Sequence, residues 1–375
     1  MAAPRVPMAC RCTPSRCASW RRWWPKRARS WTRFSASPSC SSTCSRPWPP
    51  RAARPGRRGM RGRRATKSSR SRSGWRTRAS RCWGSTSRSW RAARREERAM
   101  ELPYLGVGLS YRWDLNPHLA RGNPGVDWLE VTPEHFLPLT DDAERRLDVL
   151  AKRYPLVGHS LELSVGSDGV DAPGYRDGLR RIVSRTKSVW HGDHLCFTRV
   201  GPLPLRALTP VPLTDEAVET CVRNARAVRA DLGVPLVLEN IAYLFHTDLD
   251  TLDEADFIRR VVEGADCGLL LDLHNVYCNA VNHGYDAYRF LDRLPLDRVV
   301  QIHLAGGVTA EGLRLDSHSA PSPEEVWQLL EYVVPRCPVR GVNFEMDSGF
   351  PPFVRLVEEL ARARAILQRH GASKA

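Results

Sequence analysis

Eight short apolar runs, mostly followed by stretches of helical periodicity, fill the chain from Leu105 to its end. The runs are Leu105–Ser110, Trp128–Val131, Pro155–His159, Ser188–His194, Val234–Glu239, Gly268–Leu271, Arg298–His303 and Val339–Glu345. Helices are expected over Asp141–Arg153, Tyr175–Thr186, Leu252–Glu263, Asp286–Leu294 and Pro352–Gln368. Thr214 reads as the N-cap of a long helix to Leu232, with Glu216 in its first turn. Ser322 reads as the cap of a helix through Val334, with Glu325 completing a capping box. Alternation of this kind dictates a parallel sheet with right-handed crossovers. Eight units in about 270 residues fit an α/β fold, the (β/α)8 TIM barrel. A doubly wound open sheet is the alternative, but no glycine-rich dinucleotide loop supports it.

The sixth run ends abruptly. Gly268-Leu-Leu-Leu is followed by Asp272, His274 and Asn275. Side chains of a strand alternate faces, so Asp272 and His274 are expected on the same side. A carboxylate beside an imidazole suits a metal ion; a capping Asp and a hydrogen-bonded His are the plainer reading. The other strand ends carry the same residue types. They are His159, His194, Glu239 followed by Asn240, His303 with Asp316 and His318 in the loop beyond, and Glu345 with Asp347 beyond. Function in such barrels sits at the C-terminal ends of the strands. So many acids and imidazoles at one mouth would cost several kcal/mol each if left uncompensated. Metal ions supply the missing positive charge. At four to six ligands per ion, the set suits two or three ions. Imidazole and carboxylate without thiolate suit iron, manganese or zinc. His118, His135, His246 and His370 lie in loops or helices and read as ordinary polar residues. His191 has the opposite parity to His194 and is expected to face the helices. Asn282-His283-Gly284 reads equally as support for the site or as loop structure.

The charge of +16 is unevenly spread. Residues 1–99 hold 28 Lys+Arg against 2 Asp+Glu, and the remainder 29 against 39, so a net of +26 precedes a net of −10. The basic segment has no Leu, no Ile and only one Val, yet it carries 8 of the 12 Trp and 6 of the 11 Cys. Without branched aliphatics it cannot close-pack a core, so disorder is expected. Its mixture of Arg, Ser, Trp, Cys and Pro resembles GC-rich DNA translated in the wrong frame. Residues 1–99 are therefore expected to stand outside the native protein, with Met100 opening the real one and residues 100–375 forming a metal-dependent TIM-barrel domain. No apolar signal region and no stretch of membrane-spanning length is visible. Cys196, Cys221, Cys267, Cys278 and Cys337 lack C-x-x-C spacing and read as thiols of a cytoplasmic protein.

The stretches GVGLS, LEVTPEHF, HSLELSVGS, GDHL, LENIAYL, LLLDLHNVY, NHG, HLAGG and DSHSAP resemble the family that includes MbnB and TglH, over about Leu105 to Ala365. The resemblance implies a barrel holding two or three irons. It also implies oxidative modification of cysteine residues in a ribosomally made precursor peptide, with dioxygen as co-substrate. A partner protein that helps bind the precursor peptide is implied too, and neither nucleic acid nor membrane is. The family's ligand positions match His159, His194, Glu239, Asp272, His303, Asp316, His318 and Glu345. Asp272, His274 and Asn240 are expected to take the catalytic roles, although many members carry Asn where His274 stands. HLAGG replaces a frequent HLAGH, and EMD a frequent EWD, both near the pocket. A divalent-metal hydrolase or isomerase, similar to endonuclease IV or xylose isomerase, is the second reading. A barrel of net −10 repels a phosphate backbone, which weighs against a nuclease. Metal storage is the weakest reading, because it needs no ligands spread over so many strand ends.

Overall fold

The computed structural model describes residues 102–168 and 174–371. The N-terminal segment expected to be disordered lies outside the described residues. The strands are β1 (Gly106–Ser110), β2 (Trp128–Val131), β3 (Leu156–His159), β4 (His191–His194), β5 (Phe197–Val200), β6 (Leu203–Thr209), β7 (Leu236–Glu239), β8 (Gly268–Asp272), β9 (Val299–Leu304), β10 (Val308–Ala310), β11 (Leu313–Leu315) and β12 (Gly341–Phe344). Eight of them close into a barrel in the order β1-β12-β9-β8-β7-β4-β3-β2, and every pair is parallel. The closing pair runs in register from Gly106 opposite Gly341 to Leu109 opposite Phe344. This is the expected (β/α)8 barrel.

Helices of three or more turns, and one shorter, cover the barrel. They are α1 (Asp141–Ala151), α2 (Tyr175–Thr186), α3 (Asp215–Leu232), α4 (Glu254–Ala265), α5 (Leu273–His283), the two-turn α6 (Ala287–Arg293), α7 (Glu324–Val333) and α8 (Phe353–Arg369). A 3-10 turn, Trp113–Leu115, and a one-turn helix, Asn116–Leu119, link β1 to β2. Thr214 caps α3 as expected, its side chain accepting from Ala217 N. Ser322 does not cap α7. Pro323 takes the N-cap place with an extended ψ of 159°, so the helix starts one residue late and Glu325 falls at its second position. The Ser322 hydroxyl is left buried without a partner. Two antiparallel hairpins, β5–β6 and β10–β11, stand in the loops after β4 and β9, where no strands are expected from the residue pattern.

The inside of the barrel is filled in layers, as alternation along each strand requires. At its base Trp128, Val157, Trp190, Val237 and Leu270 form a separate apolar cluster. The two indoles meet edge to face with centroids 6.3 Å apart, a favourable aromatic geometry. Gly108 makes room for them: a Cβ there would overlap the Trp128 ring. Above the indoles Trp190 Nε1 donates to Gln301 Oε1 at 2.7 Å, and the interior turns polar from that level up. Further along the strands come the strand-end acids and imidazoles, two residues on in β3, β7 and β8 and four in β4. The larger core lies outside the strands, between them and the helices.

Candidate metal centre

Each inward strand end delivers one side chain to the mouth. β3 brings His159, β4 His194, β7 Glu239, β8 Asp272, β9 His303, and Glu345 follows β12 directly. All six are buried, and Asp272 and His303 are wholly so. His159 Nε2 stands 2.9 Å from Glu239 Oε2, and His194 Nε2 stands 3.4 Å from the same oxygen. His303 Nδ1 lies 3.4 Å from Glu239 Oε1, 3.1 Å from Glu345 Oε2 and 4.0 Å from Asp272 Oδ2. The loop after β11 brings His318, whose Nδ1 is 3.7 Å from Glu345 Oε2 and whose Nε2 is 2.6 Å from Asp316 Oδ1. His318 holds a left-handed backbone, φ 45°, which costs a non-glycine residue energy. Its carbonyl is clamped by Asp347 N at 2.7 Å, which fixes the loop there.

The donor atoms fall into three overlapping groups, each within 4.8 Å: His159, Glu239 and His303; Glu239, Asp272, His303 and Glu345; and His318, Glu345 and Asp347. All eight residues expected as ligands are therefore brought to one mouth. Asp316 joins the third group through His318, and His194 the first through Glu239, neither as a member.

His274 and Asn240 are placed differently from expectation. β8 stops at Asp272, and α5 begins at once with Leu273. Asp272 is the cap of that helix, its Oδ1 accepting from Asn275 N at 2.6 Å. Asp272 and His274 are thus not alternate residues of one strand. His274 sits on the first turn of α5, with Nε2 3.8 Å from Asp316 Oδ1 and 3.5 Å from Cys278 Sγ. Asn240 does not point its amide at the ligand groups. It donates to Asp272 O at 3.0 Å and accepts from Asp272 N at 2.9 Å, bracing that residue's backbone.

Sequence reasoning missed two residues. Glu130, on β2, accepts hydrogen bonds from Gln301, Asn343 and Ser110, and its Oε2 lies 2.9 Å from His303 Nε2. The pair turns the other ring nitrogen, Nδ1, toward the carboxylates. A carboxylate behind an imidazole fixes its tautomer and raises its basicity as a ligand. Arg112, just past β1, donates to Glu345 at 2.8 Å and to Asp347 at 2.7 Å. The signal for Glu130 was an acid in an otherwise apolar strand, at the parity of inward Trp128. Arg112 left none, because nothing in the sequence says which charge a loop arginine will meet.

Asn282-His283-Gly284 supports the site through the loop beside it. The Asn282 amide grips Arg314 O and Arg314 N, which tethers the β10–β11 hairpin that leads into Asp316. His191 faces the helices, as parity required, with Nε2 2.9 Å from Ser160 Oγ. Met346 packs into the outer core and turns away from the mouth. Gly307 lies against Leu315 O so closely that no side chain fits there, and a Cβ would stand 2.9 Å from His274 Nε2.

The electrostatics ask for a cation. Glu130, Glu239, Asp272, Asp316, Glu345 and Asp347 face Arg112 as the one guanidinium paired with them among the described residues. Burial opposes charge on His159, yet Glu130 and Glu239 lift its pKa to about 9. Burial opposes charge on His303 too, and the same two carboxylates raise it well above the usual imidazole range. Burial, helped by Glu239 and Asp316, raises Asp272 well above an ordinary carboxyl. Protons here stand where positive charge is wanted. Several buried atoms also crowd one another without hydrogen-bond geometry: Glu239 Oε2, Asp272 Oδ2, Asp316 Oδ1, His303 Nδ1 and His318 Nε2. Buried polar atoms are almost always satisfied, so a converging set of orphans fits metal ligation. Oxygen and imidazole donors without thiolate fit iron, manganese or zinc.

The profile of the family described as RiPP precursor modification enzyme MbnB/TglH/ChrH matches residues 106–368. The chain belongs to this family. The match spans the barrel from β1 to the end of α8, so every ligand group falls inside it. Similar proteins include the UPF0276 protein of Caulobacter vibrioides (strain NA1000 / CB15N), 37% identical over 276 residues, which are 72% of this chain and 97% of that one. The UPF0276 protein PM0211 of Pasteurella multocida (strain Pm70) is 32% identical over 293 residues, covering 71% of this chain and 95% of its own. Among solved structures, D-psicose 3-epimerase from Clostridium cellulolyticum H10 with D-tagatose is similar at a TM-score of 0.44 and 12% identity, covering 71% of this chain and 98% of that one. Another is 3-keto-D-glucoside 4-epimerase from E. coli, at 0.44 and 13%, covering 70% and 99%. Among the described residues no helix is long and apolar enough to cross a membrane, and Cys196, Cys221, Cys267, Cys278 and Cys337 are free.

Proposed function

We propose that this member of the family is a multinuclear non-haem iron enzyme that uses dioxygen to oxidise cysteine residues in a ribosomally synthesised precursor peptide. The observation that carries it is the chain of overlapping ligand groups, linked through Glu239, His303 and Glu345, inside a barrel of a precursor-modifying family. His159, His194, Glu239, Asp272, His303, Asp316, His318 and Glu345 would hold two or three ions. Bound iron would supply the redox chemistry with dioxygen and a Lewis-acidic seat for a thiolate.

The chain's own residues prepare the site. Glu130 holds His303 in one ring orientation, and Asn240 holds Asp272 through its backbone. Asn240 is thus a positioning residue. Burial drives His274 down to a pKa of about 4, so its imidazole is neutral at pH 7 and its Nε2 can accept a hydrogen bond from an entering thiol. A thiolate binds iron far better than a thiol. Arg112 neutralises part of the charge of Glu345 and Asp347. A partner protein that helps bind the peptide belongs to this reading.

Co-expression with each small cysteine-containing peptide encoded beside this chain, and with neighbouring candidate partner proteins, tests the proposal by intact mass. The expected result is a defined mass change localised to a cysteine, abolished by Cys→Ser in the peptide and dependent on iron and dioxygen. No change in any such peptide, with sugar isomerisation or cleavage of abasic DNA instead, would establish the hydrolase or isomerase reading. Glu130→Gln gives an independent check on the site. It removes the carboxylate behind His303 and should weaken metal binding about 10- to 100-fold in a chelator competition, with the circular dichroism spectrum unchanged.

A further inference from the structure

The four backbone N–H groups that follow His159 are all taken by groups outside their own segment. Ser160 N donates to Gly192 O at 2.9 Å, and Leu161 N to Glu134 Oε1 at 2.8 Å. Glu162 N donates to the Tyr175 hydroxyl at 3.3 Å, and Leu163 N to Asp193 Oδ2 at 3.0 Å. The segment has no helix or strand of its own, so these bonds are what fix the chain as it leaves β3.

Ser160 is the junction of this scaffold. Its Oγ stands 2.7 Å from Asp193 Oδ2 and 2.9 Å from His191 Nε2. The single hydroxyl hydrogen goes to Asp193 Oδ2, so Ser160 Oγ accepts from His191 Nε2. The other carboxylate oxygen, Asp193 Oδ1, accepts from His194 N at 2.6 Å. Ser160 therefore adjoins His159 through its peptide and reaches the backbone of His194 through one carboxylate. Ser160, His191 and Asp193 are buried, on the helix side of the strands.

The two strands also interlock by shape. Gly158 pairs with His191 and His159 with Gly192 in the β3–β4 register. A Cβ at 158 would come within 2.7 Å of His191 Nδ1, and a Cβ at 192 within 2.5 Å of His159 Nδ1. Each imidazole lies over the glycine of the other strand, one on each face of the sheet. The outcome on the inner face is a 3.3 Å separation between His159 Nε2 and His194 Nε2. Two nitrogens each ~2.1 Å from a shared ion stand about 3.0–3.4 Å apart.

We infer that Ser160 is a positioning residue of the metal centre: through Asp193, with His191 holding its hydroxyl, it sets His159 and His194 as one preformed pair of ligands. This rests on the metal-centre reading above. It goes beyond that reading by giving the helix-side residues a task at the barrel mouth. Glu134 and Tyr175 belong to the same scaffold but reach the pair only through backbone.

The test is titration of metal-free protein with Co(II), read by the visible absorption of the bound ion and by chelator competition. Ser160→Ala should weaken binding at this pair about 10- to 100-fold and shift its absorption band. Ser160→Thr keeps the hydroxyl and should restore both. Circular dichroism and thermal unfolding of the metal-free proteins separate these effects from loss of fold. Should Ser160→Ala fail to fold, His191→Leu decides, since it removes the donor that holds the hydroxyl and should shift the band as well. An unchanged band and affinity in the folded variant would overturn the inference. Wild-type protein that binds no Co(II) would instead overturn the metal-centre reading beneath it.

Discussion

Glu239→Ala is expected to reduce the metal content from the two or three ions proposed to at most one, and to abolish the proposed oxidation. Glu239 is the acid on which two ligand groups depend. One of its oxygens faces His159 and His194, and the other faces His303. Both groups that contain it are broken by its loss, and only His318, Glu345 and Asp347 keep their full set. Removing an outer-shell partner costs about 10- to 100-fold in metal affinity, and removing a ligand shared by two ions should exceed about 100-fold. The carboxylate's charge matters as well as its shape. Burial opposes ionisation of Glu239, yet His303, His194 and His159 hold its pKa well below the usual carboxylate range. Glu239→Gln keeps the volume and loses the charge, so it should fail almost as badly. Metal analysis with Mössbauer spectroscopy on anaerobically loaded protein checks both variants. Retention of the full metal content by Glu239→Ala would show that the acid is not shared.

The barrel and its mouth were legible in the sequence for one physical reason. Buried strands of a parallel sheet are apolar, so an acid or an imidazole where such a run ends is conspicuous. His159, His194, Glu239, Asp272, His303 and Glu345 all stand out this way. Glu130 did not, because the strand that holds it continues into Val131 and the eye looks for function one step later. Asp272 misled in a different manner. An Asp that ends a strand can also cap a helix, and the LHNVYCNAVNH stretch mixes polar and apolar residues too evenly to announce α5. The β5–β6 hairpin was hidden by exposure. Its second strand, LPLRALT, is mostly exposed and carries a proline, so it has no buried face to impose alternation. Ser322 shows the limit of a motif: Pro323 suits the first helical position, yet here it takes the N-cap place with ψ 159°, and the helix starts one residue late.

Metal removal should destabilise the protein, and by more at pH 9 than at pH 6.5. In the metal-free protein, protonated imidazoles stand in for the cation. The pKa of His159 rises from the ordinary 6.5 to about 9, burial opposing and Glu130 and Glu239 prevailing. A group whose pKa is raised on folding stabilises the fold below its unfolded value and loses that contribution as pH climbs through the folded value. For His159 the window runs from 6.5 to about 9 and is worth on the order of 3 kcal/mol. His303 and His318 shift in the same direction, so the loss continues upward from there. With metal bound the sign reverses. Ligation needs neutral imidazole, so protons compete with the ion and binding strengthens as pH rises. The stabilisation from a bound ion follows its affinity, through RT ln(1 + [L]/Kd). Glu254, pushed up to about 7 chiefly by burial, loses stability as pH rises from about 4 to 7. It lies outside the ligand groups, so its effect is common to the two forms and cancels in the difference. Thermal unfolding of metal-loaded and chelator-treated protein at pH 6.5 and pH 9 measures that difference directly. Divergence of the two melting temperatures as pH rises is the expected result. Parallel curves would mean that the acids and imidazoles at the mouth are not exchanging protons for metal.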